Sequence, residues 1–186
     1  MNFDIPEVPV AFFDLDDTLL SEDTNTLWIK WRLKRDPRVI PELVVALNNN
    51  HSFKKGCLTD SMIFNYYRMR ALGMNARKYA EMVDRFFREK GIRYVFNDGM
   101  ELIRLHKSRK IHTVIITGQE QAIAQPFFEH LGADQLICNR RITVKGRHRG
   151  FEMPNCYGNG KITMANRHLK DRGVSLSECS FYSDSV

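Results

Sequence analysis

The segment Asp14-Leu15-Asp16-Asp17-Thr18 follows the apolar run at residues 8–13 and gathers carboxylates and a hydroxyl into one short turn. Residues two apart on an extended segment point the same way, so Asp14 and Asp16 can address one ligand while Leu15 turns inward. Two carboxylates that close repel each other. A hard divalent cation such as Mg²⁺ relieves the repulsion and can hold a phosphate oxygen as well. An aspartate in that position can attack phosphorus while its neighbour handles the leaving-group proton. The same residues read with equal weight as an acidic strand-to-helix turn, with Asp17 or Thr18 capping the next helix.

The elements that must position this turn are set by the apolar pattern. Residues 8–13 are expected to form a short buried strand, and open α/β sheets place their sites at the carboxyl ends of such strands. From Asp23 to about Asp98 the spacing is helical throughout. Asp23 caps a first helix through Leu27, Trp28, Trp31 and Leu33, and Asp36-Pro37 opens a second, which Asn48-Asn49-Asn50 is expected to break. Thr59 and Asn75 open a third and a fourth, the last ending at Gly91. This predicts a small helical bundle, residues 21–98, inserted into an α/β core made of residues 1–20 and 99–186. After Asp98, helix and strand alternate, as a parallel sheet with right-handed crossovers requires, with strands expected at 113–116, 135–138 and 179–182. Residues 141–144 and 148–151 are expected to pair as a hairpin around Lys145-Gly146, and Lys161 to open a helix running towards Asp171.

The chain's 186 residues suffice for one core with a smaller attached subdomain. Its 28 basic and 22 acidic side chains give a net charge of +6, which favours anionic ligands without saying which. Cys57, Cys138, Cys156 and Cys179 are widely spaced and form no CxxC pair, which argues against a zinc site or a disulfide framework. With no basic leader before an apolar stretch and no run of the roughly twenty apolar residues a bilayer demands, the expected location is the cytoplasm, with no membrane partner.

Three further residues fall where they would complement Asp14 and Asp16. Thr117 follows Val114-Ile115-Ile116, so that its hydroxyl and the Gly118 amide are expected to meet a phosphoryl oxygen at a helix N-terminus. Lys161 follows Gly158-Asn159-Gly160 and can offset charge developing on a transferred group. Asp184 follows the last strand and can complete a metal site. Taken singly, each has a plainer reading, as a cap or a solvated side chain.

Together these segments resemble the haloacid dehalogenase superfamily of phosphohydrolases, in the branch with phosphoserine phosphatase-like members and a helical cap. Asp14-Leu15-Asp16-Asp17-Thr18 is similar to the first motif of that family, Ile115-Ile116-Thr117-Gly118 to the second, Gly160-Lys161 to the third and Tyr182-Ser183-Asp184-Ser185 to the start of the fourth. The resemblance implies a Rossmann-like core and hydrolysis of a small phosphorylated metabolite through an aspartyl phosphate. It implies that Asp14 attacks, that Asp16 protonates the leaving alkoxide and then deprotonates water, and that Thr117, Gly118 and Lys161 hold the phosphoryl group. It also implies Mg²⁺ on the Asp14 carboxylate, the Asp16 carbonyl and Asp184, and an acidic residue at Asp23 that reads a substrate amino group; a plain helix cap is at least as good a reading of Asp23.

Members of the family usually continue past the fourth motif with another aspartate and a flanking strand, whereas this sequence stops at Val186. Two expectations arise: a truncated enzyme, or a non-catalytic domain that binds an anionic ligand or a partner. In either case the strand at 179–182 is expected at an exposed sheet edge, open to an oligomer or a covering partner. Arg140, Arg141, Lys145, Arg147, His148 and Arg149 form the densest basic patch, expected to be a solvated hairpin rather than a nucleic-acid interface, since no stacking aromatics interleave it. Trp28, Trp31, Tyr66, Tyr67, Phe86 and Phe87 are expected mostly in a bundle core. His112, just before the second core strand, is expected to be structural, and His51, His106 and His130 show no metal-ligand spacing.

Overall fold

Four consecutive apolar residues suit a strand covered on both faces, as in the interior of a parallel sheet, and that is where Val10–Phe13 lies. The structure, a computed structural model, describes residues 4–71 and 74–184. Along the chain, β1 (Val10–Phe13) is followed by five helices: α1 (Thr24–Leu33), α2 (Ile40–Lys54), α3 (Asp60–Arg70), α4 (Ala76–Glu89) and α5 (Asn97–Ser108). Then come β2 (His112–Glu120), α6 (Gln121–Leu131), β3 (Gln135–Asn139), β4 (Arg141–Val144), β5 (Arg147–Phe151), α7 (Asn159–Lys170) and β6 (Ser180–Tyr182). The main sheet is parallel, in the order β3-β2-β1-β6, with Ala11 level with Thr113 on one side and Ser180 on the other.

The two faces of the sheet separate by residue parity. Ala11, Phe13 and Ile115 pack towards Ile103 of α5 and Ile123, Ala124 and Phe127 of α6. Val10, Phe12, Val114 and Ile116 pack towards Ala165 and Leu169 of α7. Phe12 and Phe13 are fully enclosed, each contributing about 1.5–3 kcal/mol by transfer from water. The result is the three-layer α/β arrangement expected from the alternation of elements. β6 is an edge strand, and Phe181 on it keeps half its surface exposed. Among the described residues no helix is long and apolar enough to cross a membrane. All four cysteines are free.

The four helices between β1 and α5 begin where their caps predict in three cases. Asp23, Thr59 and Asn75 each accept a backbone N–H in the first turn of α1, α3 and α4. Two local expectations need correcting. Asn48-Asn49-Asn50 does not break α2, which runs on to Lys54; Asn49 donates instead to the Met62 carbonyl at 3.1 Å, so a tertiary bond to α3 overrides weak helix propensity. The basic hairpin β4–β5 forms with Lys145 and Gly146 both at positive φ, but it is not wholly solvated. Arg141 is ion-paired to Glu120, His148 lies edge-on to Tyr79, and Phe151 stacks on Phe64 at 4.8 Å.

Most of the cap aromatics are core, as expected, but they do not form a core separate from the sheet. Trp28, Trp31, Tyr79 and Phe86 interlock, and Phe86 and Phe87 both abut Phe127 of α6, so α1 and α4 share the main apolar cluster. Tyr66 and Tyr67 belong to a smaller cluster between α2, α3 and the hairpin. Leu20 bridges to Val95 and the Ser21 N–H donates to the Tyr94 carbonyl, which closes the helical excursion on itself.

Where these helices meet the sheet, Glu120 sits with no exposed surface at the carboxyl end of β2. It accepts from Arg70 of α3 at 3.2 Å, from Arg141 of β4 and from the Tyr79 hydroxyl of α4. Arg70 is likewise fully buried. Glu120→Gln would leave two enclosed guanidinium groups without a counter-charge, and we expect a loss of about 3–5 kcal/mol in urea unfolding. A loss below about 1 kcal/mol would show that the cluster tolerates neutralisation.

On the far side of the sheet, His112 of β2 and His168 of α7 face each other with Nε2 atoms 3.2 Å apart. Burial, then the nearby Arg172, holds both below the ordinary histidine value of 6.5; Lys107 adds to this at His112, while Asp134 and Asp171 oppose it. The unfolded chain therefore takes up protons near pH 6.5 that the folded chain resists, so stability is complete above that value and declines as pH falls below it. Between about pH 7.5 and about pH 5, Tm should fall further for the wild type than for a His112→Asn/His168→Asn variant, as read by differential scanning calorimetry.

Candidate active site

β1 delivers Asp14 to the carboxyl edge of the sheet, where its backbone N–H donates to the Tyr182 carbonyl of β6 at 2.9 Å. The chain then turns sharply. Leu19 and Leu20 both donate to the Leu15 carbonyl, and Asp17 takes a positive φ of 56°, which a short polar side chain tolerates better than a branched one. Leu15 is buried beneath the turn, as the alternation predicts, so the carboxylates are left to face the mouth.

Asp14 is almost enclosed. One carboxylate oxygen accepts the Leu15 N–H at 2.8 Å and the other meets Lys161 Nζ at 2.5 Å. Lys161 reaches it from the first turn of α7, and the glycines before it explain how. Gly158 adopts φ +51°, and a Cβ on Gly160 would lie 1.9 Å from the Asn155 carbonyl oxygen, so only glycine allows the approach that aims Lys161 at Asp14.

Asp16 accepts the Thr24 N–H at 2.8 Å, at the N-terminus of α1. Burial of the carboxylate, followed by the Asp23 charge, pushes its pKa up to about 8, although the residue as a whole keeps some exposed surface. Asp23 itself is the cap of α1: its oxygens accept from Thr26 N at 2.7 Å and Asn25 Nδ2 at 3.0 Å. Burial and the neighbouring Asp23, Asp184, Glu22 and Asp14 charges raise Asp17 as well. The entrance is thus an acidic field with Lys161 as a cation inside it.

Thr117 and Gly118 call for a correction of place. They do not stand at a helix N-terminus; β2 continues through them to Glu120, and α6 starts only at Gln121. The extension is held because the Gly118 carbonyl accepts from Tyr67 Oη at 2.5 Å and Asn139 Nδ2 at 2.7 Å, while Thr117 Oγ1 accepts from the Gln119 N–H at 3.1 Å. A Cβ on Gly118 would press on the Cys156 carbonyl at 3.3 Å. The Thr117 N–H meets the enclosed Cys156 thiol, which burial lifts to about 12 while Lys161 lowers it and Asp14 raises it.

Asp184 is drawn to the turn by Thr18. Its backbone N–H donates to Thr18 Oγ1 at 3.0 Å, and the same hydroxyl faces its carboxylate at 3.4 Å. Ser185, read with it as the start of the fourth motif, lies outside the described residues. Among the described residues no group of three or more His, Cys, Asp or Glu side chains is arranged to hold a metal. Asp14 and Asp184 both border the turn, and their carboxylate oxygens are of the kind a hard divalent cation takes.

Several supporting residues escaped the sequence reading. Asn139, nearly fully buried, donates to Gly118 and accepts the Cys156 N–H at 2.7 Å, pinning the second motif to the segment that precedes the third. Gln119, Thr24, Arg70 and Glu120 form a buried polar chain from the cap to the turn. The one local signal was Gln119-Glu120 directly after an apolar strand; their partners lie about fifty and ninety-five residues away in sequence.

A probable phosphatase of Mycobacterium tuberculosis is 24% identical over 189 residues, covering 95% of this chain and 62% of the relative. A histidinol-phosphatase of Neisseria meningitidis serogroup C is 25% identical over 184 residues, 95% of this chain and 82% of the relative. The chain therefore spans somewhat under two thirds of the length of the mycobacterial relative. Among solved structures, a protein of unknown function from Bordetella pertussis Tohama I superposes with a TM-score of 0.78 at 21% identity, covering 92% of this chain and 80% of that one. A substrate-bound phosphoserine phosphatase superposes at 0.64 and 17%, covering 95% and 78%. These structural likenesses establish the shared fold. The sequence model of the haloacid dehalogenase-like hydrolases matches residues 11–186, from within β1 through every segment of the site, and the chain belongs to that family.

Proposed function

We propose that the protein is a phosphatase that hydrolyses a small phosphate monoester through a phosphorylated Asp14. The observation that carries this reading is the Asp14–Lys161 pair at 2.5 Å, with Asp16 anchored two residues on by the Thr24 N–H and its pKa raised by burial. Membership of the family and the relatives named as phosphatases support it.

In this mechanism Lys161, in contact with Asp14, offsets the negative charge of the incoming phosphoryl group. An Asp14 oxygen forms a bond to phosphorus as the ester P–O bond breaks, and Asp16 gives its proton to the departing alkoxide. A water then loses a proton to Asp16 and attacks phosphorus, releasing inorganic phosphate and restoring both aspartates. Thr117 and the Gly118 N–H contribute donors to the phosphoryl oxygens, and Asn139 and Tyr67 keep that segment extended. The Asp14 and Asp184 carboxylates and the Asp16 carbonyl would hold Mg²⁺, which supplies charge neutralisation for phosphoryl transfer.

The helices of residues 21–98 act as the cap that selects the leaving group. Asp23 retains lone pairs beyond its two capping bonds, and its charge at the entrance suits a cationic group such as an ammonium. The proposed partner is a phosphorylated metabolite of that kind, met in the cytoplasm.

Asp14→Asn should abolish turnover of p-nitrophenyl phosphate while leaving the far-ultraviolet circular dichroism unchanged; sustained turnover would remove Asp14 as the nucleophile. Stripping divalent ions with a chelator should cut the wild-type rate by at least about a hundredfold, and Mg²⁺ should restore it. A rate indifferent to both treatments would remove the cation from the reading.

A further inference from the structure

We infer that Gln119 is a positioning residue for Asp16, held in register by Arg70 of the helical cap. The inference rests on the reading of Asp16 as general acid under the proposed function. A continuous chain of bonds runs from α3 to the acidic turn. Arg70 Nη1 donates to Gln119 Oε1 at 2.8 Å, Gln119 Nε2 donates to Thr24 Oγ1 at 2.6 Å, and the Thr24 N–H donates to Asp16 Oδ1 at 2.8 Å. The orientation of the amide is determined by its neighbours. Gln119 Oε1 faces two pure donors, Arg70 and the Glu120 N–H at 3.0 Å, so Nε2 must point towards Thr24 and towards Asn25 Oδ1 at 3.2 Å. Asn25 Oδ1 also accepts from Arg70, which closes a ring of three side chains around the start of α1.

This ring does more than satisfy buried polar groups. Thr24 and Gln119 are both essentially inaccessible, so bulk solvent does not compete for their bonds. Thr24 is the first residue of α1, and its N–H, together with its hydroxyl, orients the Asp16 carboxylate. Fixing the Thr24 hydroxyl therefore fixes the position of that N–H relative to Asp14. Arg70 comes from a helix about fifty residues away in sequence from Gln119, so the geometry of the acid depends on the cap being seated. A packing role alone would affect all substrates alike. A positioning role makes a narrower demand, because only a poor leaving group needs the proton that Asp16 delivers.

The test compares kcat/KM for p-nitrophenyl phosphate, whose phenolate departs without help, with that for an alkyl monoester that the wild-type enzyme turns over. Gln119→Leu should lower kcat/KM for the alkyl ester by about tenfold or more and for the aryl ester by less than about threefold, a portion of the roughly 10²–10⁴ that general acid catalysis typically contributes. Thr24→Val, which keeps the N–H and removes the hydroxyl, should discriminate in the same direction, and Thr24→Ser should restore the wild-type ratio. Equal losses on both esters, or none, would overturn the inference. Asp16→Asn is the reference: if it fails to discriminate between the esters, the general-acid reading falls, separately from the role of Gln119. Should Gln119→Leu not fold, as judged by circular dichroism, Gln119→Asn, which keeps the amide and shortens its reach to Thr24, decides the question by the same ratio.

Discussion

The burial of Glu120 is the constraint on which the rest of the molecule depends. A carboxylate with no exposed surface is tolerable only if cations and donors surround it, and here they come from three separate places: Arg70 on α3, Tyr79 on α4 and Arg141 on β4. Each of these elements is thereby anchored at the carboxyl end of β2, the same edge at which Asp14 leaves β1. The cap and the hairpin are held against the site by charge, while their aromatic faces supply the apolar area. Removal of any one partner leaves an uncompensated group in a low-dielectric interior, so the arrangement behaves as a unit.

The acidic turn is built on a second opposition of charges. Asp14, Asp16, Asp17, Asp23 and Asp184 crowd one entrance, and Lys161 reaches in among them. The conformational freedom of Gly158 and the close approach at Gly160 are what bring it there. Asp14 has a cation against it; Asp16 has burial and a like charge. Two carboxylates two residues apart are thus given different surroundings, which suits the division of labour between a nucleophile and an acid.

Much of this was legible in the sequence. The apolar run before Asp14, the caps at Asp23, Thr59 and Asn75, the Lys145-Gly146 turn and the alternation after Asp98 are local signals, carried by side chains that act within a few residues of themselves. The misreadings had the opposite character. Asn48-Asn49-Asn50 carries a local signal for a break, but Asn49 finds its acceptor on α3. Thr117 and Gly118 look like the entry to a helix, but β2 continues through them with a shift of register, and Tyr67 and Asn139 tie the bulged segment in place. The basic hairpin looks solvated until Arg141 is seen against Glu120. In each case a partner distant in sequence supplied a bond stronger than the local preference.

Residue order alone dictates the succession of elements, the buried central strand and the identity of the groups that reach the carboxyl edge, because hydrophobic periodicity and capping act over one or two turns. The closed fold settles which charges are enclosed, which nitrogen meets Asp14, and that the Thr24 N–H of α1 rather than solvent receives Asp16. Those outcomes depend on desolvation and on contacts between segments about fifty to one hundred and fifty residues apart. Neither is encoded at a single position; both appear only when the cap and the sheet close on each other and exclude water from the groups between them.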